Sequence, residues 1–292
     1  MRQKDILRKY LCHNGQVRVF VIDATNMISD LRDLHNMSNV VTAAVGRTLI
    51  VSTMMASKLK NNTDRITVQI KGEGPLGNIV VCGDNSLQMK AYATNPQVEV
   101  PKKENGKLDV SSVVGKGYLN IVKDIGLKDP YVGVCELVSS EIAEDFAYYF
   151  ATSEQTPSAV FLGVNFSKEN TVQKAAGYII EPLPDASEEV ITILESINSN
   201  IDSVTNLMLD LGNIDDVVKT ITGDNNVECI EEKIPVLKCD CDIKRIEKTI
   251  ITLGKNEVEK ILKENNNKIE ISCHFCNKVY NLSKADVEKL FD

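Results

Sequence analysis

Four of the eight cysteines in this 292-residue chain form two close pairs, Cys239-Asp240-Cys241 and Cys273-His274-Phe275-Cys276. Four thiolates can surround a zinc ion tetrahedrally at roughly 2.3 Å, and a closed site of that kind supplies folding free energy directly. The C-x-C half is less usual than C-x-x-C for a purely structural zinc ribbon. Thiolates gathered on a metal are held deprotonated, and the thiolate is the form that attacks peroxide and other oxidants. Each sulfur is thus both ligand and sensor. Oxidising one pair removes ligands, expels the metal and withdraws what held the module folded. An inert zinc module that only folds the C-terminus fits the same spacing.

Other chemistry on these residues is weaker. Cys273 and Cys276 have the spacing of a thioredoxin-type dithiol, which would make the chain a thiol–disulfide oxidoreductase, but that motif opens a helix after a strand and here it lies between strand-like pieces. A nucleic-acid-binding zinc ribbon needs a basic surplus for phosphates, whereas residues 223–292 carry 12 Lys or Arg against 14 Asp or Glu. His274 reads as a neighbour of the metal site, since four cysteines already complete it. Cys12, Cys82, Cys135 and Cys229 sit mostly in apolar runs that favour small buried thiols. Cys229, ten residues before Cys239, is the one to watch for auxiliary redox chemistry.

Gly72-Glu73-Gly74-Pro75-Leu76-Gly77 matches the dinucleotide-binding pattern in letters, yet Pro75 marks a turn and a strand follows, so it reads as a hairpin connection. Walker, HExxH and G-x-S-x-G motifs do not occur, and the three histidines, His13, His35 and His274, suggest no acid–base set. No catalytic residue is assigned. The balance favours a binding protein over an enzyme.

Positioning the cysteines requires a scaffold, and residues 1–184 supply strand and helix patterns for an α/β (α+β) domain with a mixed sheet and packed helices. Strands are expected at Val17–Ala24, Arg65–Ile70, Asn78–Cys82, Leu87–Tyr92, Leu119–Val122, Tyr131–Val138, Ser158–Val164 and Gly177–Ile180. Ser38–Lys60 has apolar residues at helical spacing and reads as a buried helix. Ser140–Phe150 reads as an amphipathic helix capped by Ser140, with Glu141 and Glu144 in its first turns.

Residues 185–224 differ in kind and read as a helical linker. From Ala175 to Val218 there are nine acidic residues and no Lys or Arg. Val190, Leu194, Ile197, Ile201, Val204, Met208 and Leu211 alternate spacings of four and three, a heptad seam. Asp185 and Glu188 resemble a capping box at its start and Gly212 marks the stop. Without basic partners such a helix has poor intrinsic stability and needs a surface to lie on. It is read either as an ordinary core-packed helix or as a docked linker that can be released.

Residues 225–292 form the third segment, with short helices expected at Ile243–Ile251 and Glu257–Glu264, strands at Lys268–Ser272 and Lys278–Asn281, and a final helix Ser283–Phe291 capped by Ser283. Apolar side chains are too few for an independent core, so a staple is needed. The formal charge of −8 and 43% hydrophobic content fit a soluble protein and disfavour a general nucleic-acid binder. The N-terminus lacks a secretory pattern, no apolar run approaches the roughly 18 residues of a membrane span, and eight cysteines are then reduced thiols or ligands in a cytoplasmic protein.

Several long strings resemble the redox-regulated chaperones of the heat-shock protein 33, or 33 kDa chaperonin, family. They are the two cysteine pairs, GEGPLG at Gly72–Gly77, GKGYLNIVKD at Gly115–Asp124, the stretch Gly126–Val164, and AGYIIEPLPDA at Ala176–Ala186. The resemblance implies one zinc per chain in the reduced state, held by Cys239, Cys241, Cys273 and Cys276. It implies disulfides Cys239–Cys241 and Cys273–Cys276 on oxidation aided by heat, followed by zinc release and unfolding of the linker. Such a chain would be an ATP-independent holdase for unfolding client proteins, dimeric when oxidised, with no nucleic-acid or membrane partner.

Overall fold

The computed structural model describes residues 4–291. The chain divides into two compact units, Met1–Leu237 and Lys238–Asp292. In the first, β1 (Ile6–Cys12) and β2 (Val17–Asp23) lead to α1 (Thr25–His35) and α2 (Asn39–Ala56). Next come β3 (Arg65–Gly72), β4 (Asn78–Asp84), β5 (Gln88–Ala93), α3 (Val110–Val114), β6 (Gly117–Asp124), β7 (Tyr131–Glu136) and α4 (Ala143–Thr152). Strands β8 (Ala159–Phe166) and β9 (Val172–Pro182) precede α5 (Glu188–Asn198), α6 (Val204–Leu211) and α7 (Ile214–Thr222). The unit closes with β10 (Glu228–Lys233) and β11 (Val236–Leu237). The second unit contains α8 (Ile243–Leu253), α9 (Lys255–Glu264), β12 (Lys268–Ser272), β13 (Val279–Ser283) and α10 (Lys284–Glu288).

Two sheets build the first unit, ordered β10-β1-β2-β9-β8 and β11-β5-β4-β3-β6-β7. The pairings are antiparallel except β11 with β5, which makes the second sheet mixed. Period-two alternation sets the inward face, with Ile66, Val68 and Ile70 of β3 and Ile79 and Val81 of β4 buried on one side. Against them lies α2, buried at every position but Asn39 and Arg47 and packed on strands of both sheets. Its buried hydroxyls are satisfied within the helix: Thr48 Oγ1 donates to the Ala44 carbonyl at 2.8 Å and Ser52 Oγ to that of Thr48 at 2.6 Å. With 18 residues, α2 does reach the length and apolarity of a membrane span, correcting the expectation that no stretch does. Its burial inside the protein accounts for that composition.

The Gly72–Gly77 segment is the β3–β4 hairpin connection. A side chain at Gly72 would meet the Val114 carbonyl at 2.0 Å, so glycine is required by the close passage of α3. Ser140 does not cap α4, whose first residue is Ala143. The buried Asp145 carboxylate takes over, accepting from the amides of Val138, Ser139, Ser140 and Ile142 at 2.8–3.1 Å.

The acidic segment lies on the outer face of the five-stranded sheet. Val190 and Leu194 of α5, Val204 and Met208 of α6, and Val217, Val218 and Ile221 of α7 share a cluster with Tyr10, Val17, Val19, Val21, Tyr178 and Ile180. The seam is not one continuous helix. It breaks after Asn198, because Ser199, Asn200, Asp202 and Ser203 surround Ile201 with poor helix formers and Ser203 restarts helix by accepting the Asn206 amide at 3.3 Å. Ser187, rather than Asp185, caps α5. Asn213 caps α7, and Gly212 and Gly223 end α6 and α7 in left-handed conformation.

Two strands were not read from sequence within 225–237: β10 pairs with β1, where Arg8 Nε binds Glu232 Oε2 at 2.8 Å, and β11 pairs with β5. In the second unit α10 spans only Lys284–Glu288, although Ser283 is its cap.

Candidate metal centre

The second unit is small, and its core consists of Ile250, Val258, Leu262, Ile269, Tyr280, Leu282 and Val287. Around that core the chain brings the two cysteine pairs together from opposite ends. Cys239 and Cys241 lie in the irregular segment just before α8, whose start is fixed by Asp242 Oδ1 accepting the Arg245 amide at 2.8 Å. Asp240, between them, pairs with Arg245 at 2.7 Å. Cys273 and Cys276 occupy the turn of the β12–β13 hairpin. That turn is closed by Cys273 N–H to the Lys278 carbonyl at 2.9 Å and Asn277 N–H to the Cys273 carbonyl at 2.8 Å. Asn277 adopts a φ of 56°, which asparagine tolerates better than most residues.

All four sulfurs lie within 4.8 Å of one another. Cys239 Sγ is 3.7 Å from Cys273 Sγ, and Cys241 Sγ is 3.4 Å from Cys276 Sγ. Tetrahedral coordination at roughly 2.3 Å per Zn–S bond places sulfurs roughly 3.8 Å apart. The donor set therefore fits a thiophilic divalent ion in both chemistry and spacing. His274 is exposed and lies outside this set.

The sulfurs are electrostatically unequal. Burial opposes the Cys241 thiolate, but hydrogen bonds led by the Tyr280 hydroxyl, 3.1 Å away, outweigh it and bring this thiol down to about 7. Burial pushes Cys239 up to about 12 against the opposing Cys241 amide, and it also raises Cys276 against the amide of Lys278. A metal ion would add its own charge to this balance and hold all four as thiolates.

The remaining cysteines are dispersed. Cys12 is buried, Cys82 and Cys135 are half-buried, and Cys229 is exposed on β10. Cys273 and Cys276 sit in a hairpin turn and do not open a helix, which removes the structural context of a thioredoxin-type dithiol. The sequence reading found all four clustered cysteines but missed Tyr280, whose partner is 39 positions away.

The fold and the thiol cluster define a two-sheet α/β protein with an added tetrathiol module that could hold a metal ion. The chain belongs to the Hsp33 family of chaperones, matching the family described as "Hsp33 protein" over residues 5–283. It is 40% identical over 285 residues to a 33 kDa chaperonin of Clostridioides difficile, covering 97% of each chain. It is 41% identical over 288 residues to a 33 kDa chaperonin of Caldanaerobacter subterraneus, covering 98% of this chain and 97% of that one. Among solved structures it is similar to the 33 kDa chaperonin (heat shock protein 33 homolog) of Thermotoga maritima. That match has a TM-score of 0.90 and 32% identity, and covers 99% of this chain and 98% of the other.

Proposed function

We propose that the protein is an oxidation-activated holdase that binds unfolding proteins without ATP and is inactive while reduced and zinc-bound. The observation that carries this reading is the convergence of four thiols within 4.8 Å in a module with so small a core. Cys239, Cys241, Cys273 and Cys276 would hold one zinc ion, which supplies the stability that seven buried apolar residues do not. Oxidation would join Cys239 to Cys241 and Cys273 to Cys276, removing every ligand and releasing the ion.

Three functional segments follow: a core of residues 1–184, a linker of 185–224 and a switch of 225–292. The linker helices cover Tyr10, Val17, Val19, Val21, Tyr178 and Ile180 on the sheet, an apolar face suited to non-native chains once uncovered. The oxidised form is a homodimer, and the protein works in the cytoplasm with neither nucleic acid nor membrane as partner. Its action is binding, not turnover, so no catalytic residue is assigned.

The test is aggregation of a chemically denatured client. The reduced, zinc-loaded protein is expected to leave aggregation unchanged. Peroxide treatment under mild heating should release about one zinc per chain and confer suppression. Equal suppression in both states would remove the switch from this account.

A further inference from the structure

We propose that Tyr280 tunes the oxidant sensitivity of the thiol cluster by donating its phenolic hydrogen to the Cys241 sulfur. The inference rests on the metal-bound reading of the four cysteines and concerns how readily that site is attacked.

Three observations support it. Tyr280 Oη lies 3.1 Å from Cys241 Sγ, within the reach of an O–H···S hydrogen bond. The ring is fixed in place: Tyr280 is 7% exposed, belongs to the module's core, and pairs with Ile271 across the hairpin. The Lys278 ammonium sits 5.0 Å from the ring centroid, where its charge draws electron density from the phenol and strengthens the donor. At Cys241 the donor is a side chain, so this sulfur is adjustable by sequence.

The chemistry gives the bond a consequence. A thiolate attacks a hydroperoxide with a sulfur lone pair. The O–O bond breaks, and with one proton the products from hydrogen peroxide are a sulfenic acid and water. A neighbouring thiolate then attacks that sulfur, closes the disulfide and expels hydroxide, which takes a second proton to become water. Two thiolates have lost two electrons and one peroxide has gained them. A hydrogen bond to the attacking lone pair stabilises it and weakens that attack, because part of the bond is lost as sulfur gives up its charge. Tyr280 is therefore a positioning residue that sets a threshold.

Tyr280→Phe keeps the ring in the core and removes only the donor. With cobalt(II) in place of zinc in the full-length reduced chain, the sulfur-to-metal charge-transfer bands should move to lower energy in the variant. In the zinc form, peroxide-driven release followed with a chromogenic chelator should run roughly three- to tenfold faster, and trapping by alkylation should show the gain at Cys241. A purely structural Tyr280 would shift the melting of residues 238–292 and leave the cobalt bands in place. Unchanged bands and an unchanged release rate overturn the proposal. Should the Phe variant not fold, wild-type chain carrying 3-fluorotyrosine retains the hydroxyl as a stronger donor, and it must then show the opposite band shift and slower release. A wild-type chain without a tetrathiolate cobalt spectrum would overturn the metal reading itself, and this proposal with it.

Discussion

The Tyr178 hydroxyl on β9 donates a 3.0 Å hydrogen bond to the Asn198 side-chain oxygen at the end of α5. The Asn198 amide donates in turn to the carbonyls of Leu194, at 2.8 Å, and Ile221, at 2.9 Å. One buried side chain thus ties two helices of the acidic layer to the sheet beneath them.

Asn198→Ala leaves the Tyr178 hydroxyl and the Ile221 carbonyl without this partner in an apolar setting. The cost is about 2 kcal/mol, borne by the layer and not by the inner core. Hydrogen exchange should show protection lost across residues 188–222 while α2 stays protected, and the reduced variant should suppress client aggregation measurably. Wild-type exchange across 188–222 would count against this role.

Gly163 on β8 marks a close approach of α6. A Cβ there would stand 2.8 Å from Thr205 Cγ2 and 3.0 Å from Val204 Cγ1. Gly163→Val should push α6 outward at a cost of about 1–3 kcal/mol, read as earlier proteolytic cleavage near residues 199–203.

Metal removal should act locally. Chelation of the reduced protein is expected to abolish exchange protection within residues 238–292, where the core is seven side chains, while β2, β9 and α2 remain protected. Loss of protection throughout the chain would show that the first unit also depends on the ion.

Acid should weaken the first unit through Glu141. Burial raises this carboxyl, but Lys103 at 2.5 Å and Arg47 at 2.9 Å outweigh it and hold the group below its usual range. A depressed carboxyl contributes stability above its unfolded value, and that stability fades as pH falls through the folded one. Glu141→Gln should therefore cost about 1 kcal/mol at neutral pH. In urea titrations the gap from wild type should close below about pH 4.

Thiol footprinting should separate the isolated cysteines. Cys229 is exposed and should be alkylated within the native protein. Cys12 is 1% exposed, and burial pushes its thiol up to about 12, so it should react only on unfolding. Cys229→Ser should leave zinc release unchanged, since this residue lies outside the four-sulfur group.

The centre was legible because spacing alone reveals it: C-x-C and C-x-x-C bring thiols together whatever the surrounding fold. The inner strands were legible through alternation, as at Ile66, Val68 and Ile70. By contrast, β1 and β10 carry Arg8, Lys9, Glu228, Glu231 and Glu232, and their identity as strands comes from tertiary pairing, β1 lying between β2 and β10 with Arg8 bound to Glu232. No local period encodes that. The break between α5 and α6 was hidden for the opposite reason, since the apolar spacing continues through it while Ser199 to Ser203 stop the helix. The Tyr280 contact was invisible because β13 explains a tyrosine at that position on its own.

Each helix of the acidic layer is short, between 8 and 11 residues, with its own polar cap at the start. Helices of that length do not persist alone in water. Detachment therefore yields disordered chain and not free helices, returning roughly 1–2 kcal/mol of backbone entropy per residue at 25 °C. That return grows with temperature, so warming favours detachment of the layer. The three caps and their brief helices make the layer responsive to heat, with no sensor beyond the disorder it gains on leaving.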